Sequence, residues 1–464
     1  MGKYFGTDGF RGKANVTLTA RHAYEIGRFL GWYYASPLSG QTAPNRKARV
    51  VVGKDTRRSC YMLEYALVAG LTASGADAYM LHVTTTPSVS FVTARDDFDC
   101  GVMISASHNP FDDNGIKLVN RRGEKMDDET TDLIEAYLDG NFAVIGLSAK
   151  DLPLATDADV GKIVDYAAGR NRYVGYLISL AAHSYKDFRV GLDCANGAAW
   201  MIAKSVFEAL GAKTYVIGDT PNGININDDV GSTHTEALCR LVKEEKLDVG
   251  FAFDGDADRC IAVDENGNEV NGDHILYVLG KSLKARGMLN GNTVVTTVMS
   301  NMGLYKALAE DGIDYVQTTV GDRFIYENMI QNGFSLGGEQ SGHIILKKYA
   351  TTGDGILTAI MLMEEIVAQK RPLSKLCAPV VMYPQVTKNL RVPDKDAVFQ
   401  NTAVTKKLDE LNSRLGTNGR MLLRKSGTEP VVRVMAEAES MALCERSADE
   451  LISVIRAEGL AESI

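Results

Sequence analysis

The sequence predicts an α/β protein of four domains, three similar mixed α/β units followed by a smaller α+β domain. Three observations lead there. The chain has 464 residues, too many for one ordinary core at roughly 100–200 residues per domain. A strand, a polar loop and a helix recur: Ala48–Gly53 then Tyr61–Ser74, Phe188–Asp193 then Ala198–Leu210, and Asn292–Thr297 then Met302–Glu310. After Lys370-Arg371-Pro372 the texture changes to a long strand around Met382–Val392, a helix over Asn401–Leu415, strands near Met421 and Val431, and a last helix over Ala442–Arg456. The domain boundaries that follow are 1–155, 156–256, 257–370 and 371–464.

Within the first unit the spacing predicts a strand over Asp77–Val83, a short helix after Pro87, and the apolar strand Cys100–Ile104. Alternating strands and helices imply a largely parallel sheet covered on both faces. Glycine-punctuated Gly6-Thr7-Asp8-Gly9-Phe10-Arg11-Gly12 reads as a loop whose backbone can approach a ligand closely, with Arg11 its only cation.

Apolar residues make up 45% of the chain, charged residues 23%, and the net charge is -9. That balance argues against a nucleic-acid or anionic-membrane binder and requires any anion site to be a local concentration of Arg and Lys. Seven scattered cysteines with no Cys-x-x-Cys fit reduced thiols of a cytoplasmic protein. The amino terminus lacks a signal-peptide core, and the helical stretch 355–368 is interrupted by Glu364 and Glu365, so no membrane span is expected.

Four polar loops carry the chemistry. Ser105-Ala106-Ser107-His108-Asn109-Pro110 follows an apolar strand and ends at a proline that restrains Asn109, which presents a hydroxyl on a rigid mount. Asp254-Gly255-Asp256-Ala257-Asp258-Arg259 follows the apolar strand Leu247–Phe253; carboxylates at alternate positions converge on a hard divalent ion, magnesium being the natural candidate. An EF-hand opens the same way, but its sixth position is Arg259 here and strand-like residues flank the loop. Gly337-Gly338-Glu339-Gln340-Ser341-Gly342-His343 offers an acid, an amide, a hydroxyl and an imidazole, groups that read sugar hydroxyls and an amino substituent. Arg424-Lys425-Ser426-Gly427-Thr428-Glu429-Pro430, with Arg433 beyond, gathers cations around a turn that can cup a phosphate. Together they describe phosphosugar chemistry.

In this order and spacing the four loops resemble those of the α-D-phosphohexomutases over the whole chain. Ser105–Pro110 together with Gly338–His343 resembles the branch acting on hexosamine phosphates, whereas branches acting on mannose or glucose phosphates more often carry Met at the position of Gln340. The resemblance implies four domains around a central cleft, Mg2+ as cofactor, and an intramolecular phosphotransferase of the isomerase class that feeds amino-sugar nucleotide and cell-wall precursor synthesis.

By the same resemblance Ser107 is the phosphorylated serine and, with Asp254, Asp256 and Asp258, a metal ligand; Arg11, Lys117 and Arg259 line the reacting phosphoryl group, and Lys117 or His343 transfers a proton. Glu339 and Ser341, with Arg323, bind the sugar phosphate, and Arg424, Ser426, Gly427, Thr428 and Arg433 grip its non-reacting phosphate. The implied mechanism is two phosphoryl transfers through a bisphosphorylated sugar, with water excluded by domain closure. A metal-assisted serine phosphatase and a non-catalytic sugar-phosphate sensor are the rivals. The chain is expected to be a monomer or homodimer. Stretches 36–47 and 147–161 read as an insertion and a divergent segment, both away from the motifs.

Overall fold

The structure is a computed structural model that describes residues 2–40, 46–146, 151–426 and 430–462; parts of both divergent stretches, 41–45 and 147–150, lie outside the described residues. It divides into two compact units, Met1–Met299 with Gly312–Ala378, and Ser300–Asp311 with Pro379–Ile464.

The first unit holds three sheets. Strands β1 (Phe5–Gly6), β2 (Gly9–Lys13), β3 (Arg49–Lys54), β4 (Asp77–Val83), β5 (Cys100–Ile104), β6 (Asp113–Asn120) and β7 (Ile163–Asp165) order as β1-β2-β6-β5-β3-β4-β7. Side chains alternate across this sheet, as the two-residue period of a strand requires. Val50, Val52, Cys100 and Val102 enter one core beneath the helices Ala20–Ala35 and Arg58–Ala73. Val51 and Met103 enter another, with Val89 and Val92 of the helix Thr86–Arg95. The helices Ala20–Ala35 and Arg58–Ala73 meet with backbones almost touching: a Cβ on Gly27 would lie 2.1 Å from the Leu67 carbonyl oxygen.

Strands β8 (Arg189–Asp193), β9 (Lys213–Ile217), β10 (Val249–Phe253), β11 (Cys260–Val263) and β12 (Glu269–Val270) order as β12-β11-β10-β8-β9. Strands β13 (Thr293–Thr297), β14 (Asp314–Thr318), β15 (Leu336–Gly338) and β16 (Ile344–Leu346) order as β14-β13-β15-β16.

The three sheets share one device. Each has a parallel centre and turns back through one antiparallel strand: β5 into β6, β10 into β11, β15 into β16. The serine, aspartate and sugar loops are those three turns. The sheets are therefore mixed rather than largely parallel, and the expected boundaries shift. Strands β11 and β12 complete the second sheet beyond residue 256, and β7 completes the first beyond residue 155 by pairing with β4. Both edge strands are short and follow polar loops, which is why they read as the start of the next unit.

The second unit is a three-stranded antiparallel sheet of β17 (Gln385–Arg391), β18 (Gly419–Lys425) and β19 (Val431–Ala438), ordered β17-β19-β18. Helices Thr402–Leu415 and Met441–Ala457 supply Leu411, Cys444, Leu451 and Ile455 to its core. Helix Met302–Glu310 also belongs to this unit: Glu437 accepts from the Met302 amide and Asn301 donates to the Tyr383 carbonyl. Leu373–Cys377 stays with the first unit. Among the described residues no helix is long and apolar enough to cross a membrane.

Candidate active site

Ser107 sits in the turn between β5 and β6 with left-handed backbone, φ 54°, and is 1% exposed. Its Oγ donates to Asp254 Oδ2 at 2.5 Å and lies 3.3 Å from His108 Nδ1. The turn fits closely against the aspartate loop, since a Cβ on Gly255 would lie 2.4 Å from the Ser107 carbonyl oxygen.

Asp254, Asp256 and Asp258 are buried and offer ligand oxygens within 4.8 Å of one another. Lys117, on the return strand β6, donates to Asp256 Oδ2 at 2.8 Å and Asp258 Oδ2 at 3.3 Å, and lies 3.1 Å from Asp8. Thr86 Oγ1 donates to Asp256 Oδ2 at 2.5 Å. These contacts leave Asp256 Oδ1 and Asp258 Oδ1 buried without a hydrogen-bond donor. Two such orphaned carboxylate oxygens in an all-oxygen set fit a hard divalent cation.

The charges around them interlock. Burial, then the neighbouring charges of Asp258 and Asp256, push the Asp254 carboxyl well above the usual range. Burial works the same way on Asp8, but Lys117, Lys125 and Arg11 overcome it and hold Asp8 well below. Burial works against the charge on Lys117, but Asp256, Asp8 and Asp258 overcome it and raise Lys117 well above an ordinary lysine. Burial together with Arg259 and Arg11 lowers His108 to about 3, so this imidazole beside Ser107 is neutral.

His343 is buried between Asp322, 3.3 Å from Nε2, and Asp258, 3.7 Å from Nδ1. Burial opposes its charge, yet Asp322 and Asp258 raise it to about 9. The Gly353 amide donates to Nε2 at 3.0 Å, so a proton on Nε2 requires that contact to break. Glu339, in the same loop, accepts from the Gly321 amide at 3.1 Å.

Of the residues singled out from sequence, Ser107, the three aspartates, Lys117, Arg11, Arg259 and His343 form one connected cluster. Arg11 pairs with Asp8, and Arg259 lies 4.0 Å from Asp258. The buried Ser341 hydroxyl has no hydrogen-bond partner. Arg323 pairs through its guanidinium with Asp128 and Glu327, on the wall of a cavity of about 560 Å³ that Asp8, Lys117 and Asp258 also line. Those carboxylates come from the helix Asp128–Leu138 and from one turn further along its own helix. Gly6–Gly12 is not a plain loop but the hairpin of β1 and β2, which seats Arg11 opposite Gly115 of β6.

Sequence reasoning passed over Asp8, Lys125 and Asp322. Lys125 lies 2.9 Å from Asp8 and 2.7 Å from Asp322, tying the first hairpin to the His343 partner. Asp8 stood in the quoted glycine stretch, three residues before Arg11, and that charge pairing was the available signal. In the second unit, Arg424 and Arg433 are direct cross-strand partners on β18 and β19. Buried Ser426 follows Arg424, its amide donating to the Val431 carbonyl at 3.0 Å. Gly427 and Thr428 lie outside the described residues.

Comparison with known proteins agrees with this geometry. Four family domains match in order: phosphoglucomutase/phosphomannomutase alpha/beta/alpha domain I over residues 2–143, domain II over 171–267, domain III over 271–383 and the C-terminal domain over 388–454. The chain belongs to the phosphoglucomutase/phosphomannomutase family. As in the second sheet here, family domain II runs past residue 256. Among family relatives, the phosphoglucosamine mutase of Lachnospira eligens is 60% identical over 461 residues, covering 99% of this chain and 100% of that one. That of Bacillus subtilis is 48% identical over 458 residues, covering 99% of each. A family protein from Burkholderia thailandensis superposes with TM-score 0.77 at 24% identity, over 99% of this chain and 98% of that one. Aspergillus fumigatus N-acetylphosphoglucosamine mutase, solved in complex with GlcNAc-6P and magnesium, gives 0.69 at 18%, over 98% and 96%. At those identities the structures speak for the fold alone.

Proposed function

We propose that the chain interconverts glucosamine 6-phosphate and glucosamine 1-phosphate, with Ser107 as the phosphoryl carrier and a bisphosphorylated sugar as intermediate. The observation that carries this reading is the buried Ser107 hydroxyl, hydrogen-bonded to Asp254 beside two orphaned carboxylate oxygens, in the cluster that also holds Lys117, Arg11 and Arg259. Full-length relatives named phosphoglucosamine mutase, at 46–60% identity, support the hexosamine.

Ser107, Asp254, Asp256 and Asp258 would hold Mg2+, which when bound neutralises charge on a phosphoryl group. The chain's own residues supply the rest. Phosphoryl transfer proceeds through a loose, charge-spread transition state, which demands alignment and fixed positive charge more than covalent chemistry. Lys117, held charged by three carboxylates, serves as fixed positive charge and as an acid rather than a base. His343 keeps a proton near the sugar loop at neutral pH. Glu339 accepts from the C2 ammonium of the sugar, and Arg424, Ser426, Gly427, Thr428 and Arg433 are assigned to the non-reacting phosphate. The product feeds synthesis of amino-sugar nucleotides, a cytoplasmic role.

The test is an intact-mass spectrum with peptide mapping, alongside a turnover assay that also measures inorganic phosphate. One phosphoryl group on the Ser107 peptide and turnover without phosphate release are expected. Stoichiometric release of phosphate would make the chain a phosphatase.

A further inference from the structure

The serine turn is held from behind by two side chains, Arg57 and Asn227, that hydrogen-bond neither to the carboxylates of Asp254, Asp256 and Asp258 nor to the Ser107 hydroxyl. Arg57 is completely buried, and Asp55 accepts from its Nε at 2.8 Å. Its remaining four N–H groups point into the serine turn. One terminal nitrogen donates to the carbonyls of Ser107 at 2.9 Å and Asn109 at 2.8 Å. The other donates to those of Pro110 and, at 3.0 Å, Asp113. A guanidinium has five N–H donors, and here every one has an acceptor.

Asn227 approaches from a loop of the second sheet's domain. Its side-chain amide donates to the same two carbonyls, Ser107 at 2.9 Å and Asn109 at 3.0 Å. Ser105 Oγ closes the arrangement, accepting from the Ser107 amide at 2.9 Å and donating to Asp55 at 2.7 Å. The Ser107 carbonyl thus takes hydrogen bonds from both sides of a domain junction. Ser107 needs that hold, since a left-handed φ is uncommon for a residue with a Cβ.

We propose that Arg57 and Asn227 are positioning residues for phosphoryl transfer: they clamp the backbone of the serine turn from two domains and keep the Ser107 Oγ aimed at the aspartate cluster in both half-reactions. The proposal rests on Ser107 being the phosphoryl carrier. Displacement of a reacting atom by about 1 Å costs on the order of a hundredfold in rate, so the clamp acts on kcat.

The experiment uses the full chain as wild type, Asn227→Ala, Asn227→Asp and Arg57→Lys. After incubation with a hexose 1,6-bisphosphate, the phosphorylated fraction of Ser107 is measured by peptide mass spectrometry, and kcat and KM are expressed per phosphorylated serine. Asn227→Ala is expected to lower that kcat about 10- to 100-fold with KM within about twofold. Asn227→Asp, which turns an oxygen on the two carbonyls, should fall at least as far. Arg57→Lys keeps the charge beside Asp55 but loses the fork, and should fall further; if it fails to fold, Asn227→Ala decides. A merely structural role would lower Tm and the phosphorylated fraction while leaving kcat per phosphorylated serine unchanged, and that result in Asn227→Ala overturns the clamp. A wild type that neither carries phosphate nor turns over overturns the phosphoryl-carrier reading itself.

Discussion

Arg57 and Asp256 are both buried charges within one active centre, yet their surroundings treat them in opposite ways. The guanidinium has an acceptor for each N–H, all supplied by the serine turn and Asp55. The carboxylate has Thr86 and Lys117 on one oxygen and, among the described residues, no donor on the other; Asp258 Oδ1 also lacks a hydrogen bond, with His343 Nδ1 3.7 Å and Arg259 4.0 Å away. Folding alone completes the first arrangement. The second leaves an oxygen that a further cation would satisfy, since a buried oxygen left without a partner costs about 1–3 kcal/mol or more. The difference separates mount from chemistry: the chain fixes where the hydroxyl stands and leaves its electrostatic partner able to accept and release.

The largest break in this comparison removes the hydroxyl itself. Ser107→Ala should reduce turnover to background while leaving Tm within a few degrees, because the mount behind it is untouched; a steady-state assay beside a thermal melt checks both. Next, Asp256→Asn keeps an acceptor for Thr86 and Lys117 but removes an anionic ligand, and titration calorimetry should show Mg2+ affinity lower by about 10- to 100-fold. Of similar or smaller size is sugar choice. An ammonium facing Glu339 is expected to favour glucosamine 6-phosphate over glucose and mannose 6-phosphates by roughly 1–3 kcal/mol, or about 10- to 100-fold in kcat/KM measured on one phosphorylated preparation.

A smaller effect sharpens the contrast with a carboxylate that folding half neutralises. Asp354 caps the helix Gly355–Gln369, accepts from Tyr173 at 2.9 Å, and is raised by burial to about 6. The folded protein therefore holds this proton more tightly than the unfolded chain. Its contribution to stability is present below the ordinary value of 3.8 and is lost as pH rises through about 6. Asp354→Asn keeps the cap and removes the charge, with the Tyr173 hydroxyl turning from donor to acceptor. It should add about 1–3 kcal/mol at pH 8 and nothing at pH 3, read from denaturant midpoints.

The strands of the mount were legible because Val50-Val51-Val52 and Cys100–Ile104 are short apolar runs bounded by polar loops, and the chemistry because its groups cluster within six or seven residues. The clamp was not legible. Arg57 meets Ser107 across 50 residues and Asn227 meets it across 120, and neither stands out in its own stretch. Arg323 shows the converse. The resemblance placed it at the sugar phosphate, and only the packing reveals that Asp128, 195 residues away, pairs with it. The strand β1 is two residues long, below the length at which alternation can be read at all.

The backbone of Ser107 also bears on which hydroxyl amino acid this position can accept over evolutionary time. Threonine carries a phosphoryl group as readily as serine, and the exchange is chemically conservative. A β-branched side chain at φ 54° is a steric outlier, costing on the order of 1–3 kcal/mol. The handedness of one residue thus weighs against the phosphothreonine route in any descendant of this sequence that keeps the same turn.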